Sequence, residues 1–266
     1  MVLLLPPEMM GLVGEAIAVP GVVLSGAGAA AAWELPVLGA CPGPLVSVPM
    51  SWSRARPGGL RPHRTHLRDD EIRRLGDTRV TSPLRTVLDL APRLSLPAAV
   101  SAMDAALHRH LVSHQQLRTA AETSRGPGAS AVRRAVRLAD ARAQSPFESI
   151  SRVAVVEAGW GPVVPQCALG DDPHHFDLGL PWARVLGECQ GREFHGQWVD
   201  VCRDYDHSVL VARRRGWGLV PWVWRDMWPH PQSGLLKLLS VLVAQPGRRC
   251  RRLRERHLRA DGSVGL

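Results

Sequence analysis

Two short apolar segments in the last third of the chain carry polar side chains suited to binding a metal ion. Asp177 is the only acid in the run Phe176–Leu180, and Glu188 and Gln190 stand two residues apart in the next run. Side chains at positions i and i+2 of a β-strand point to the same face, so neighbouring strands can bring such groups together. Carboxylate oxygens suit Mg²⁺ and Mn²⁺, and metal-dependent phosphodiester hydrolysis needs acidic ligands of this kind. The pattern predicts a Mg²⁺ (or Mn²⁺) site on Asp177 and Glu188.

The surroundings of Asp177 leave two explanations open. A single charge among apolar neighbours is costly to bury unless it is paired or liganded, which favours a functional role. Alternatively, Asp177 lies near the end of its strand and accepts hydrogen bonds from backbone N–H groups.

Other candidate residues lie on both sides of this pair. Glu148 is a third acid, but Ser145-x-x-Glu148 also has the pattern of a capping box, in which Glu148 only caps its own helix. His174 and His175 with the nearby cysteines match no common zinc spacing, so structural zinc is not expected. Four arginines are candidates for contacts to phosphates, with a solvated helix face as the alternative for those on the late helix. These are Arg192, Arg203, Arg213 and Arg214.

The helices and strands that must position these residues are predicted from glycine and proline boundaries and from the periodicity of the apolar residues. Between about 142 and 232 the chain predicts a small α/β unit in the order helix, three strands, helix, strand. Ser145-Pro146-Phe147-Glu148 is expected to start a helix that runs to Glu157 and stops at Gly159. The other predicted elements are strands Val163–Ala168, His175–Leu180 and Arg184–Gln190, a helix Val201–Arg215 and a strand Leu219–Trp224. Residues 233–266 are expected to form an apolar helix and an arginine-rich tail.

The first 140 residues predict a separate mixed region. Residues 1 to about 70 contain short strand-like runs, Gly21–Ser25 and Leu45–Pro49, bounded by Gly and Pro. Residues 71–140 are expected to be helical, with a first helix that opens at Ser82-Pro83, where Ser is the N-cap and Pro the first helical residue. Two amphipathic runs follow, Ala98–Leu111 and Ala131–Ala141.

Composition bounds the function classes. The chain has 266 residues and a formal net charge of +9, which indicates a polyanionic partner such as nucleic acid. Lys237 is its only lysine, so a general arginine bias of the source is the alternative explanation. The five cysteines include no CxxC pair, which favours a reducing compartment. Because neither a signal peptide nor an uncharged helical run of about 18 residues is apparent, we expect a cytoplasmic protein with no membrane partner.

An ordered set of short motifs resembles a known domain. This set looks like the endonuclease-related domain common in actinobacterial proteins, which is similar to very-short-patch mismatch repair endonucleases of the PD-(D/E)xK superfamily. The resemblance covers about 85 residues and implies a restriction-endonuclease-like three-layer α/β fold with a small mixed sheet. The motifs are Ser145-Pro146-Phe147-Glu148-Ser149, Phe176-Asp177-Leu178-Gly179-Leu180-Pro181, Glu188-Cys189-Gln190-Gly191-Arg192-Glu193-Phe194-His195, Arg203-Asp204 and Gly216-Trp217.

The resemblance assigns roles residue by residue. Asp177 matches the metal-binding Asp, Glu188 the acid of the (D/E)xK element, and Glu148 the acid of the first helix. His195 matches a histidine that would act on water or on the leaving group. Gln190 stands where the superfamily has Lys and close relatives usually have Asp. Glutamine is neutral, so it cannot act as a base and offers a metal only a weak carbonyl oxygen.

The upstream half resembles a second family. The segment Val80–Ala91, together with Val23-Leu24-Ser25, Ala29–Trp33 and Leu35-Pro36, is similar to AbiEi-type antitoxin proteins of abortive-infection systems. Fuller relatives begin with a DNA-binding winged helix-turn-helix, and this chain is expected to begin after it.

Two functions from different classes are consistent with these residues. The first is a Mg²⁺-dependent DNA endonuclease acting in repair or phage defence. The second is a catalytically degenerate nuclease fold that binds DNA as an antitoxin-like regulator, with a toxin or a second copy as partner. Retention of Asp177, Glu188 and His195 favours the first, and Gln190 favours the second. A structural interaction module without nucleic acid is the third alternative.

Overall fold

The computed structural model describes residues 7–40, 43, 45–54, 56–170, 173–190, 208–247 and 249–253. The chain divides into two compact units, Met1–Pro146 and Phe147–Leu266. Each unit contains a mixed sheet and helices, so the fold class is mixed α/β. No helix in the described ranges combines the length and the apolar character that crossing a bilayer requires.

The first unit contains a five-stranded mixed sheet in the order β3-β2-β1-β5-β4. Its strands are β1 (Val23–Leu24), β2 (Val46–Val48), β3 (His63–Arg64), β4 (Ile72–Leu75) and β5 (Thr78–Thr81). The pairs β1–β5 and β2–β3 are parallel, and β1–β2 and β4–β5 are antiparallel.

The prediction that residues 71–140 are helical throughout was wrong at its start. β4 and β5 form a hairpin in which Leu75 pairs with Thr78 around a two-residue turn. Gly76 occupies the turn with φ of 56°, a left-handed conformation that glycine adopts without steric cost. The Gly76 turn and the long-range pairing of Leu24 with Val80 therefore favour strands over a helix at residues 72–81.

Within its described residues, the first unit also contains six helices. They are α1 (Pro7–Ile17), α2 (Gly26–Ala32), α3 (Pro83–Leu90), α4 (Leu96–His108), α5 (His114–Thr123) and α6 (Ala129–Leu138). The predicted start of α3 is confirmed, because Pro83 is its first residue and Oγ of Ser82 accepts a hydrogen bond of 3.3 Å from the Arg85 amide. Two 3₁₀ turns, Pro57–Gly59 and Asp69–Glu71, complete the connections.

The second unit contains a four-stranded mixed sheet in the order β6-β7-β8-β9. The pairs β6–β7 and β7–β8 are antiparallel, whereas β8–β9 is parallel. The predicted order of helix, three strands, helix and strand is confirmed for the described residues. The elements are α7 (Pro146–Glu157), β6 (Val164–Ala168), β7 (His175–Leu180), β8 (Val185–Gln190), α8 (helical over 208–214), β9 (Gly218–Val223), α9 (Trp224–Met227), α10 (Gln232–Ala244) and α11 (249–253).

Apolar packing holds this sheet between its helices. One core cluster joins strands β6, β7 and β8 to α8; it consists of Cys167, Leu169, Phe176, Leu186, Val211 and Ala212. On β9, Trp222 is fully buried, and its indole N–H donates a hydrogen bond of 3.0 Å to the carbonyl of Gly234 on α10. The strands of this sheet are therefore packed against α8 on one side of the strand order and against α10 at β9. Polar side chains lie towards the ends of β7 and β8.

Candidate active site

The structure brings Asp177 and Glu188 together on adjacent antiparallel strands. In the β7–β8 ladder, Leu178 pairs with Gly187 and Gly179 with Leu186. One further step of the same register places Asp177 opposite Glu188. The two carboxyl groups lie within hydrogen-bonding contact of each other. The register of β7 against β8 therefore places these two acids side by side. A shift by one residue would turn one of the side chains to the other face of the sheet.

The strands separate at this point. Pairing of β7 with β8 ends at Leu178 and Gly187, whereas β8 remains paired with β9 as far as Gln190 and Val223. The backbone N–H of Cys189 donates to Oδ2 of Asp177 at 2.7 Å. Asp177 therefore accepts a backbone amide, as the structural alternative predicted, while it also faces a second carboxyl group.

Burial and mutual repulsion shift the titration of both acids. Burial, followed by the negative charges of Glu188 and Glu148, raises the pKa of Asp177 to about 7, and the Cys189 amide partly opposes this. Burial also raises the pKa of Glu188 to about 7, with a contribution from Glu148. Because the two carboxyl groups interact this closely, they titrate as a pair, and burial with the surrounding negative charge favours a proton held by the pair near neutral pH.

Glu148 adds a third carboxylate to this negative field. It lies in the first turn of α7 and is only 5% exposed. Oε2 of Glu148 accepts a hydrogen bond of 2.9 Å from Nε2 of Gln166 on β6. Gln166 has φ of 50°, a left-handed conformation that costs a residue with a side chain roughly 1–3 kcal/mol. This strained position lies beside Glu148, and strain of this kind clusters at functional sites.

His174 belongs to the same group of side chains and was not predicted as a site residue. Its Nε2 lies 3.3 Å from Oε1 of Glu188 and 3.1 Å from Oγ of Ser208 on α8. The only signal in the sequence is that His174 immediately precedes the strand that carries Asp177. Its contact with α8 joins residues 34 positions apart, which no local pattern reveals.

Cys189 contributes packing to the site. It is an unoxidised cysteine whose thiol lies 3.6 Å from Oγ of Ser151 on α7. Burial, and then the charge of Asp177, raises the pKa of this thiol well above its usual value. Cys167 lies in the core cluster of β6, β7, β8 and α8. Within the described part of the chain, no three His, Cys, Asp or Glu side chains are grouped closely enough to hold a metal by themselves.

The remaining predicted residues are distributed differently. Gln190 is exposed at the end of β8, and no hydrogen bond among the described residues joins it to Asp177 or Glu188. Arg213 and Arg214 are exposed on α8, where they directly follow the buried residues Val211 and Ala212. Arg192, His195 and Arg203 lie outside the described residues.

Comparison with known proteins gives relatives without an assigned function. The chain is 27% identical over 164 residues to the uncharacterized protein Rv2248 of Mycobacterium tuberculosis strain ATCC 25618 / H37Rv, and equally to the uncharacterized protein MT2308 of strain CDC 1551 / Oshkosh. The matched region is 60% of this chain, and the chain spans about 60% of the length of these curated relatives. No known protein family matches the chain, and no solved structure matches it.

Proposed function

We propose that the unit Phe147–Leu266 is a restriction-endonuclease-like domain that hydrolyses phosphodiester bonds of DNA with Mg²⁺ or Mn²⁺. The observation that carries this proposal is the contact between the half-buried carboxyl groups of Asp177 and Glu188, at the point where β7 and β8 separate. Two mutually repelling carboxylates in a partly desolvated site form an arrangement that a divalent cation stabilises.

The donor set fits a magnesium ion. Mg²⁺ is usually bound through one or two carboxylates, with water and substrate phosphates as its other ligands. Asp177 and Glu188 would hold it, and the buried Glu148 would increase the negative potential that attracts it. When bound, such an ion supplies charge stabilisation at the scissile phosphate and favours ionisation of water.

The protein groups around the pair keep it in one arrangement. The Cys189 amide holds Oδ2 of Asp177, and the Gln166 amide group holds Oε2 of Glu148. The first contact comes from the backbone of β8 and the second from a side chain of β6, so two strands of the sheet orient the acids. His195 is the candidate for proton transfer, and the exposed Arg213 and Arg214 are candidates for phosphate contacts on DNA.

Cleavage of supercoiled plasmid DNA tests this function. Wild-type protein with Mg²⁺ or Mn²⁺ is expected to nick the plasmid, and Asp177→Asn is expected to remove the activity while keeping the fold. Glu157→Gln, at the exposed end of α7, is the matched control and should cleave as the wild type does. Absence of metal-dependent nicking by the wild type contradicts the enzyme proposal.

A degenerate nuclease fold that binds DNA as an antitoxin-like regulator is the second candidate. It is favoured by the exposed, neutral Gln190 and by the lack of a third closely grouped metal ligand among the described side chains. Here the wild type would bind duplex DNA in a salt-dependent manner without cleaving it. Gln190→Asp would then restore a carboxylate at the strand end, and gain of Mn²⁺-dependent nicking by this variant would identify the lost ligand.

A further inference from the structure

We infer that His174 is a positioning residue of the acidic pair: it orients the carboxyl group of Glu188 so that one oxygen is held and the other is available to a divalent cation. This inference rests on the proposed metal site and extends it to a residue that the motif resemblance does not include. It is carried by the contacts of His174 with three different elements.

The first contact is to the acid itself. Nε2 of His174 lies 3.3 Å from Oε1 of Glu188. On the facing strand, the Cys189 amide holds Oδ2 of Asp177 at 2.7 Å. One oxygen of each carboxyl group, Oδ2 of Asp177 and Oε1 of Glu188, is therefore engaged by a nitrogen of the protein.

The other contacts fix the imidazole ring. Oγ of Ser208, in the first described turn of α8, lies 3.1 Å from the same Nε2. The ring also packs edge-on against the fully buried Phe176, with centroids 4.6 Å apart and an interplanar angle of 83°. Because β7, β8 and α8 all contact it, His174 cannot rotate without losing packing or a hydrogen bond.

This arrangement transmits the position of α8 to the acidic pair. Ligating carboxylates are commonly oriented by a second layer of hydrogen bonds, and loss of such a partner typically lowers metal affinity by about 10- to 100-fold. Gln190, the residue at the motif position that is usually charged, is exposed and makes no hydrogen bond to the pair among the described residues. His174, which directly precedes β7, instead provides the nitrogen that contacts Glu188.

Isothermal titration of the full chain with MnCl₂ tests this role without depending on catalysis. His174→Leu is expected to weaken Mn²⁺ binding by about 10- to 100-fold. His174→Gln, which keeps an N–H donor at a similar reach, should bind within a few-fold of the wild type. The neighbouring His175 is exposed and contacts only the Pro173 carbonyl among its described hydrogen bonds, so His175→Leu is the matched control with unchanged affinity.

The outcomes separate this inference from the proposed function. Equal Mn²⁺ affinity of wild type and His174→Leu overturns the role of His174 and leaves the metal site standing. Equally weak binding by the Leu and Gln variants also overturns it, because a retained donor should rescue. If the wild type shows no Mn²⁺ binding that Asp177→Asn abolishes, the metal site and the inference both fall. Should His174→Leu not fold, Ser208→Ala decides, since loss of the ring's second partner must lower the affinity severalfold.

Discussion

Oδ2 of Asp177 accepts a 2.7 Å hydrogen bond from the backbone N–H of Cys189, the residue that follows Glu188 on the neighbouring strand. The Asp177 side chain thereby accepts a hydrogen bond from the backbone of β8, beyond the point where the pairing of β7 with β8 ends. This contact draws the two carboxyl groups together, since the residue that satisfies Asp177 is adjacent to its acidic partner. The same side chain, Asp177, thus both accepts a backbone hydrogen bond and forms half of the acidic pair.

The acidic pair predicts a stability that decreases as the pH rises. The pKa values of Asp177 and Glu188 are about 7 in the folded protein, above the usual range near 4, so the folded state binds more protons than the unfolded state between these values. The unfolding free energy must therefore fall from about pH 4 to pH 7, and for one shared proton the loss is on the order of 2–4 kcal/mol. Urea unfolding at a series of pH values, without divalent ions, measures it.

Asp177→Asn isolates this effect from other titrating groups. Because the variant removes one of the two repelling charges, its stability relative to the wild type should increase steadily from pH 4 to pH 8. Glu157→Gln should show the wild-type profile. A difference between Asp177→Asn and wild type that does not change with pH would show that the pair is not repulsive in solution.

Divalent ions should stabilise the wild type more at pH 8 than at pH 5. Ligands must be ionised to bind the metal, so protons compete with Mg²⁺ below the raised pKa values of the pair. At a tenfold excess over its Kd, an ion that binds only the folded state contributes about 1.4 kcal/mol. Thermal unfolding with and without MgCl₂ measures the shift. Glu188→Gln should show little shift at either pH, and an equal shift in this variant would place the ion elsewhere.

Gly187 is expected to be essential for the position of Glu188. A Cβ atom added at Gly187 would overlap the ring of Trp222, which is fully buried on the paired strand β9. Gly187→Ala should therefore displace β8 or Trp222 and destabilise the protein by about 1–3 kcal/mol. It should also weaken Mn²⁺ binding, because Glu188 is the next residue.

The matched control for Gly187 is Gly14 on α1, where an added Cβ meets no atom within 4 Å. Gly14→Ala should be neutral or stabilising by up to about 1 kcal/mol, since Ala favours the helix. Unfolding by urea compares the two variants. Equal stability of Gly187→Ala and the wild type would contradict the close packing of β8 against Trp222.

For Asp226 we expect the opposite pH dependence: its contribution to the unfolding free energy should decrease as the pH falls. Burial opposes its ionisation, but hydrogen bonds from Lys237 at 2.6 Å, the Val223 amide at 2.9 Å and Ser233 at 3.1 Å outweigh it and lower the pKa of this carboxyl group. Its contribution is thus present above the unfolded-state pKa near 4 and is lost as the pH falls through the lower folded-state pKa. Asp226→Ala should cost about 1–3 kcal/mol at pH 7 and less near pH 3.

The neighbouring Arg225 provides the control for Asp226. It is exposed, so Arg225→Ala should change the stability by less than about 0.5 kcal/mol. Urea unfolding of both variants at the two pH values gives the comparison. A pH-independent cost of Asp226→Ala would show that the residue acts only as a neutral cap.

Local patterns were sufficient for most of the second unit. The strand His175–Leu180 has the predicted ends, and α7 begins at Pro146 as its Ser-Pro start indicates. Apolar runs bounded by Gly and Pro carry this information, because burial and turn chemistry act over a few residues. The β4–β5 hairpin was missed, since its short strands alternate weakly and its pairing depends on β1, which lies more than 40 residues earlier.

The sequence by itself determined the identity of the acids, their strands and the order of the elements, because these follow from residue type and periodicity along the chain. Only the tertiary structure decided the rest. Register placed Asp177 beside Glu188, separation of β7 and β8 exposed the Cys189 amide to Asp177, and packing of α8 brought Ser208 to His174. Hydrogen bonds and charge interactions between distant segments depend on distance in space, so the pKa values of the acids and the contacts of His174 emerge only when the sheet and α8 are assembled.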